Sequence, residues 1–373
     1  MKILHIITSL ETGGAQGVLL ELSSQMRHMG HQQAVISMKP GGDLGEKFRN
    51  LGIPLYELDF SLAKFARAVT ICNQIISTLN PDIIQSMLYH ADFLSLFLRY
   101  EARTKVVWGI HHSFEKNRSN RLKMTTKTIA KINASMSKKI PDKIICCSQS
   151  ALQSHKKIGY DPAKLVFIPN GIDANKFKPN PQAKILLRAE LGLPPDTPII
   201  GYLARFHPQK NHPLFFTAAN RLLDTVDDVH FVLAGNKVTD KHLDIRPYMD
   251  TPDKISHFHL LGRREDSNQV TAGLDIATLT ASGGEAFPLT MIEAMSCGVP
   301  CVSTDVGDVR SMIENTGIVV PVDDPVALSQ AWLKMLHTNH EERIQLGEQS
   351  RKKVLESYTS EIMANRFLEV YSD

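Results

Sequence analysis

Long apolar runs are missing from this chain. No uninterrupted apolar span is long enough to cross a bilayer. The apolar start, Met1 to Thr8, is broken almost at once by Glu11-Thr12-Gly13-Gly14. It is too short for a secretory leader, so a cytoplasmic chain is expected. A strong excess of one charge is missing too. The net charge is +3 over 373 residues, which removes the whole-chain case for nucleic-acid binding and leaves only local basic patches. Cysteine is scarce: the five thiols are odd in number and match no zinc spacing. That excludes a disulfide framework and fits buried thiols in a reducing compartment. The Gly-x-Gly-x-x-Gly fingerprint is absent, which removes the best support for a nicotinamide cofactor. An Asp-x-Asp metal signature, low-complexity tracts and short repeats are absent as well.

What is present is a soluble globular composition, 43% hydrophobic and 22% charged, long enough for two domains. Short apolar runs alternate with helical patterns. Lys2 to Thr8 reads as a buried strand, followed by a glycine turn and a helix over 15–28. Further strands are expected at Ala34 to Met38, Ile83 to Ser86, Lys105 to Ile110, Lys143 to Cys147, and before the Pro169-Asn170-Gly171 breaker. Residues 172–196 read as a connector. The rhythm then restarts at Pro198 to Arg205, His230 to Gly235, Ser256 to Gly262, Asp275 to Thr280, Val299 to Ser303 and Gly317 to Pro321. Helices are expected at 214–223 and 289–297, and the charged stretch from Glu341 to Tyr371 reads as helical throughout. The pattern predicts two Rossmann-like, doubly wound α/β domains facing a central cleft. Ligands of such sheets bind in loops at the carboxyl ends of strands.

Those loops carry the chemistry. In "ASGGEAFPLTMIEAMSCGVP" a strand leads through glycines to Glu285, and a helix begins near Pro288 with Glu293 inside it. The helix start aims free N–H groups and positive dipole at the loop, a phosphate site flanked by two acceptor-only carboxylates. A nucleotide-sugar has this shape, with hydroxyls on both sides of a diphosphate. The residues alone leave open a capping Glu285 and a solvated Glu293. Arg205 ends a strand and Lys210 follows in the same loop, so both can reach one diphosphate; solvated surface cations are the alternative. Gly13-Gly14 is either a tight turn or a close backbone approach to a ligand. His111 and His112 follow a strand and can meet sugar hydroxyls. His257-x-His259 lacks a third ligand nearby in sequence and is read as structural.

Taken in order, "ETGGAQ", "FIPNGID", "YLARFHPQKNH" with Arg205 and Lys210, "HLLGRRED" with Arg263, and the Glu285-x7-Glu293 stretch resemble the family 4 retaining glycosyltransferases of the GT-B fold, over nearly the whole chain. The type resembled builds bacterial cell-surface polysaccharide. The resemblance implies an acceptor domain at 1–172, a donor domain at 173–355 and a C-terminal helix, 356–373, packing back on the first domain. It implies that Glu285 holds the donor sugar, that Glu293 holds the ribose, and that backbone N–H groups of Phe287, Leu289 and Thr290 meet the diphosphate. Arg205 and Lys210 would neutralise the leaving group, Arg263 would lie beside the base, and Gly14 would approach the diphosphate. His111 would face the sugar, with His112 as the second candidate. Arg205, Lys210, Glu285 and His111 are thus the expected catalytic set. Where many relatives have Gly-Phe-Gly, this chain has Ala286-Phe287-Pro288, and the proline removes one N–H donor.

The resemblance further implies sugar transfer with retained configuration from a nucleoside diphosphate, a UDP-sugar first, without cofactor or metal. Lipopolysaccharide, O-antigen or capsule assembly is the expected setting, with a lipid-linked acceptor. Residues 116–143 carry Lys116, Arg118, Arg121, Lys123, Lys127, Lys131, Lys138, Lys139 and Lys143 against the single acid Asp142. Ile129, Ile132, Met136 and Ile140 lie among them at near-helical spacing. This segment is either a solvated helix face or a contact with an anionic membrane, placing the protein peripherally on it. Two rivals stay open: a sugar-nucleotide epimerase of the same architecture, and a non-catalytic nucleotide-sugar-binding subunit.

Overall fold

In a computed structural model of the full chain, all residues are described except 115–122, 243–244, 249–253 and the side chains of Leu62 and Arg246. The described residues form two compact units. The first gathers residues up to Gly171 together with Ser360–Asp373, and the second runs from Ile172 to Thr359.

The first unit is built on seven parallel strands: β1 (Lys2–Ile7), β2 (Gln32–Ser37), β3 (Leu55–Glu57), β4 (Ile83–Met87), β5 (Lys105–Ile110), β6 (Lys143–Cys146) and β7 (Leu165–Phe167). Their order is 3-2-1-4-5-6-7. The central strands have helices on both faces, so they read in the sequence as apolar runs rather than as alternation. All five residues of β4 are buried, and β1 is buried after Lys2. Leu4, Ile6, Ile36, Ile84, Cys72 and Leu94 share one core cluster. The C-terminal helix Ser360–Ser372 belongs to this unit. It packs on the first helix, Gly14–His28, and buries Phe367 and Tyr371. Tyr371 donates its hydroxyl to the Gln85 amide oxygen at 3.1 Å.

The second unit has six parallel strands: β8 (Ile199–Leu203), β9 (His230–Ala234), β10 (Phe258–Leu260), β11 (Ile276–Leu279), β12 (Cys301–Thr304) and β13 (Gly317–Val320). The order β10-β9-β8-β11-β12-β13 reverses direction between β8 and β11. Behind the sheet, Phe215, Phe216, Phe231 and Trp332 form a packed aromatic core. Trp332 donates its indole N–H to Thr278 Oγ1 at 3.0 Å, so its one polar atom is satisfied.

Three details depart from the sequence expectation. Residues 172–196 are not all connector, because a helix spans Pro181–Glu190, capped by Asn180 and started by Pro181. Its buried Arg188 lies 2.5 Å from Asp275, a pair that ties the helix to the start of β11. The C-terminal stretch is two helices, His340–Ser357 and Ser360–Ser372, interrupted where Thr359 bridges to Ile172. The strand β3 has only three residues and no expectation pointed to it. All five cysteines are free and buried. Among the described residues no helix is long and apolar enough to cross a membrane.

Candidate functional site

In an open parallel sheet, the loops at the point where strand order reverses splay apart and leave room for a ligand. In the second unit these are the loops after β8 and β11. The loop after β8 starts as a continuation of the ladder: Ala204 N–H donates to Ala234 O at 2.9 Å, and Phe206 N–H to Asn236 O at 2.8 Å. Gly235 permits this closeness, since a Cβ there would sit 2.1 Å from Ala204 O. A short turn, Pro208–Lys210, follows. His207 caps it by accepting the Gln209 N–H at Nδ1, 3.2 Å away. Burial, with Arg205 and Lys210 adding to it, lowers the His207 pKa and keeps that acceptor neutral. Asn211 closes the turn in the left-handed region at φ 51°, where asparagine is favoured among non-glycine residues.

The loop after β11 meets this turn. Ser282 N–H donates to Gln209 O at 3.0 Å. Lys210 Nζ stands 2.6 Å from Glu285 Oε1, with side chains only 20% and 12% exposed. Gln209 Nε2 reaches the same oxygen at 3.4 Å. Both loops thus present one covered cation–carboxylate pair, while Arg205 stays exposed and has no carboxylate partner among the described residues. Gly307 holds the Glu285 loop from behind. At φ 54° a Cβ would come within 2.4 Å of Glu285 O and 2.6 Å of Ala286 O. Asp308 N–H donates to Ala286 O at 3.2 Å.

The helix after this loop is Leu289–Ser296. Pro288 is its N-cap rather than a first-turn residue, and no side chain caps the end. The first amides of a helix have no intrahelical partner, so Leu289 and Thr290 offer free N–H groups beside Glu285. Phe287 is buried and packs edge-on against Tyr358 at 5.3 Å, which fixes the backbone it carries. Glu293 lies half-buried inside the helix. Arg263 follows β10, and β9 separates that strand from β8. Its exposed guanidinium is 3.1 Å from Glu265.

The first unit holds the other candidates. Gly13 caps the helix Gly14–His28 at φ −169°, and neither glycine of the pair is left-handed. Neither therefore needs glycine to reach a left-handed backbone. The helix has no side-chain cap and no acid in its first turn, which leaves its amide end open. His111 follows β5 half-buried, its Nδ1 is buried without a hydrogen-bond partner, and burial lowers its pKa to about 4. It is neutral at physiological pH. His112 packs edge-on against Phe114 at 6.1 Å. In the basic segment, Lys116, Arg118 and Arg121 lie outside the described residues. Lys127 and Lys131 are exposed on the helix Met124–Met136 together with Met124 and Ile132, while the packed face is Ala130, Asn133 and Ala134. Ile129, Met136 and Ile140 are half-buried.

Sequence reading missed Gln209 and Gly307. A glycine in the loop that follows a strand, in Asp305-Val-Gly-Asp308, was the available signal for the second. His257 and His259 do gain a third histidine: His230 Nδ1 is 2.9 Å from His259 Nε2, and the rings of His230 and His257 stack at 4.8 Å. His230 starts β9, and His257 and His259 flank Phe258 at the start of β10, the end of the strands opposite the loops above. Among the described residues no group of three or more His, Cys, Asp or Glu is arranged to hold a metal ion.

Two family models match the chain in tandem, "Glycosyltransferase Family 4" over residues 12–176 and "Glycosyl transferases group 1" over residues 197–338. The chain is 24% identical, over all of its length and 97% of the relative, to an Escherichia coli UDP-Gal:alpha-D-GlcNAc-diphosphoundecaprenol alpha-1,3-galactosyltransferase. It is 23% identical, over 96% of its length and 92% of the relative, to a phosphatidyl-myo-inositol mannosyltransferase of Mycobacterium leprae. Among solved structures, HepE of Anabaena in complex with UDP superposes with a TM-score of 0.86 at 19% identity, covering 100% of both chains.

Proposed function

Since the chain belongs to the family 4 glycosyltransferases and has their two parallel-sheet α/β domains, we propose that it moves a sugar from a UDP-sugar to a hydroxyl of a lipid-linked acceptor, with the anomeric configuration retained. The observation that carries this reading is the Lys210–Glu285 pair at the reversal of strand order, beside an exposed Arg205 and an uncapped helix. The bond to be broken joins the anomeric carbon to the diphosphate. Negative charge grows on that diphosphate as the bond lengthens. Arg205, Lys210 and the Leu289 and Thr290 amides supply fixed positive potential there, and one such group is commonly worth roughly 100–1,000-fold in rate. Glu285 and Glu293 accept hydroxyl hydrogen bonds from donor sugar and ribose. His111, kept neutral by burial, is likewise able to accept a hydroxyl hydrogen bond. The acceptor oxygen bonds to the anomeric carbon on the face from which the diphosphate leaves, and the departing diphosphate oxygen takes the acceptor's proton, which retains configuration without a protein nucleophile.

Support for the donor comes from the UDP in the Anabaena structure, and for the acceptor from the diphosphoundecaprenol named for the Escherichia coli relative. Cell-surface polysaccharide assembly, of the lipopolysaccharide, O-antigen or capsule kind, follows from such an acceptor. The exposed Lys127, Lys131, Met124 and Ile132 fit an anionic membrane surface at which that acceptor resides. Cationic side chains stand where a metal would otherwise offset the diphosphate, so activity should survive chelator; a strict Mg²⁺ requirement contradicts this. The deciding experiment is a thermal-shift screen of UDP-, GDP- and ADP-sugars, followed by release of nucleoside diphosphate. Stabilisation by one nucleotide class with slow release is expected. Conversion of the donor to its epimer, or no stabilisation by any donor, overturns the reading. The configuration of the product's anomeric proton by NMR tests retention.

A further inference from the structure

Lys210 is useful to a leaving group only if its ammonium waits in one place. A lysine side chain has four rotatable bonds, so most of that order must come from its backbone and its partner. The turn Pro208–Lys210 is short, lies half-buried to exposed, and has no sheet partner of its own. Two buried hydroxyls nevertheless converge on the Lys210 carbonyl. Tyr202 donates to it at 2.5 Å and Thr280 at 2.9 Å, and Thr280 Oγ1 is also 3.2 Å from Asn211 O. Both residues are fully buried. The Tyr202 ring is held by stacking on Phe215 at 5.6 Å and by His212 at 4.9 Å. Thr280 is the residue after β11, five positions before Glu285.

We propose that Thr280 and Tyr202 are positioning residues for Lys210, and that Thr280 sets the spacing between the two loops. Each carbonyl lone pair of Lys210 receives one hydroxyl. Thr280, which donates one of these bonds, also begins the loop bearing Glu285. Displacing the turn therefore displaces Lys210 Nζ relative to Glu285, while Glu293 and the helix Leu289–Ser296 that carries it lie outside the turn. The inference rests on the sugar-transfer reading above.

The test uses Thr280→Val, which keeps the shape and removes the donor, Thr280→Ser, which restores it, and Tyr202→Phe. Each is made in the full chain and in a Lys210→Ala background. The readouts are thermal melting, kcat and donor KM for nucleoside diphosphate release. Thr280→Val is expected to lower kcat about tenfold with KM within about twofold, since small displacements at a reacting centre are costly. Thr280→Ser recovers most of the rate. In the Lys210→Ala background, Thr280→Val and Tyr202→Phe change nothing further. If Thr280→Val does not fold, Tyr202→Phe carries the same test. A rate loss that adds fully to that of Lys210→Ala, or wild-type kcat in both single variants, overturns the inference while the sugar-transfer reading stands. A wild-type chain that releases no nucleoside diphosphate with any donor overturns both.

Discussion

Lys210→Met separates a structural ion pair from a catalytic one. Methionine keeps the length and apolar stem of lysine and removes the charge. Among the described residues Glu285 then keeps the Gln209 amide, 3.4 Å away, as its one side-chain partner, in a site where its side chain is 12% exposed. Loss of a charge-assisted hydrogen bond in such cover costs about 2 kcal/mol, roughly 4–8 °C in the melting temperature of a domain this size. The rate loss is larger, roughly 100–1,000-fold, because the cation acts on the leaving diphosphate. The two effects part in Lys210→Met/Glu285→Gln. Neutralising the stranded carboxylate should bring stability back to within about 1 kcal/mol of the parent, because no unpaired charge remains. Activity should stay at the Lys210→Met level or below. Melting curves and donor turnover on the same samples measure both. If the double variant regains turnover along with stability, Lys210 serves only to hold Glu285, and its assignment to the leaving group is wrong.

Three further outcomes are expected. Gly307→Ala should cut turnover at least tenfold, since φ 54° and contacts of 2.4 and 2.6 Å leave no room for a methyl group behind Glu285; Gly159→Ala, at φ 102° in open space, gives the strain-only control, and equal activities in the two variants would refute the account. Acid should destabilise the chain through His230, whose pKa burial lowers to about 4 with His259 and His257 assisting and Asp228 opposing, and through His259, also lowered by burial. A folded-state imidazole held below its free value contributes stability that is full above pH ~6.5 and lost progressively as pH falls from there through the folded value of about 4; after solvent screening this is about 1 kcal/mol, and His230→Gln should flatten the melting temperature between pH 7.5 and 5, an unchanged slope being the contrary result. Reversing Lys123, Lys127 and Lys131 to Glu should weaken sedimentation with anionic vesicles by at least roughly 100-fold, the loss of three lysines alone at about 1 kcal/mol each; unchanged sedimentation returns that helix to a solvated role.

The parallel strands were legible in the sequence because strands buried on both faces are mostly apolar, as β5 is after Lys105 and β9 after His230, while β4 is buried throughout and still carries Gln85 and Ser86. The loops followed, since ligand chemistry in such sheets sits just after strands. What escaped was tertiary. The Pro181–Glu190 helix carries Ile185 and Leu186 exposed at 57% and 56%, which blurs its apolar stripe, although Asn180-Pro181 signalled its start. The break near Tyr358-Thr359 has no glycine or proline to mark it; pairing with Ile172 imposes it. Lys210 and Glu285 were each singled out by their loops, but their pairing joins residues 75 positions apart and no local pattern encodes it. Gln209 and the Thr280 hydroxyl were invisible for the same reason, because their partners are set by how two loops meet.

The first domain is assembled from two stretches that the ribosome makes far apart in time. Residues 172–359 emerge as one piece and can condense as soon as they clear the exit tunnel. The earlier-made domain has to wait. Its sheet is complete by Phe167, yet Met363, whose sulfur receives the Gly171 N–H, and the buried Phe367 and Tyr371 arrive only with the last turns of helix. A nascent chain stalled before Ser360 should hold a finished second domain and a protease-sensitive first one, so that a late frameshift would harm the half of the molecule that was synthesised earliest.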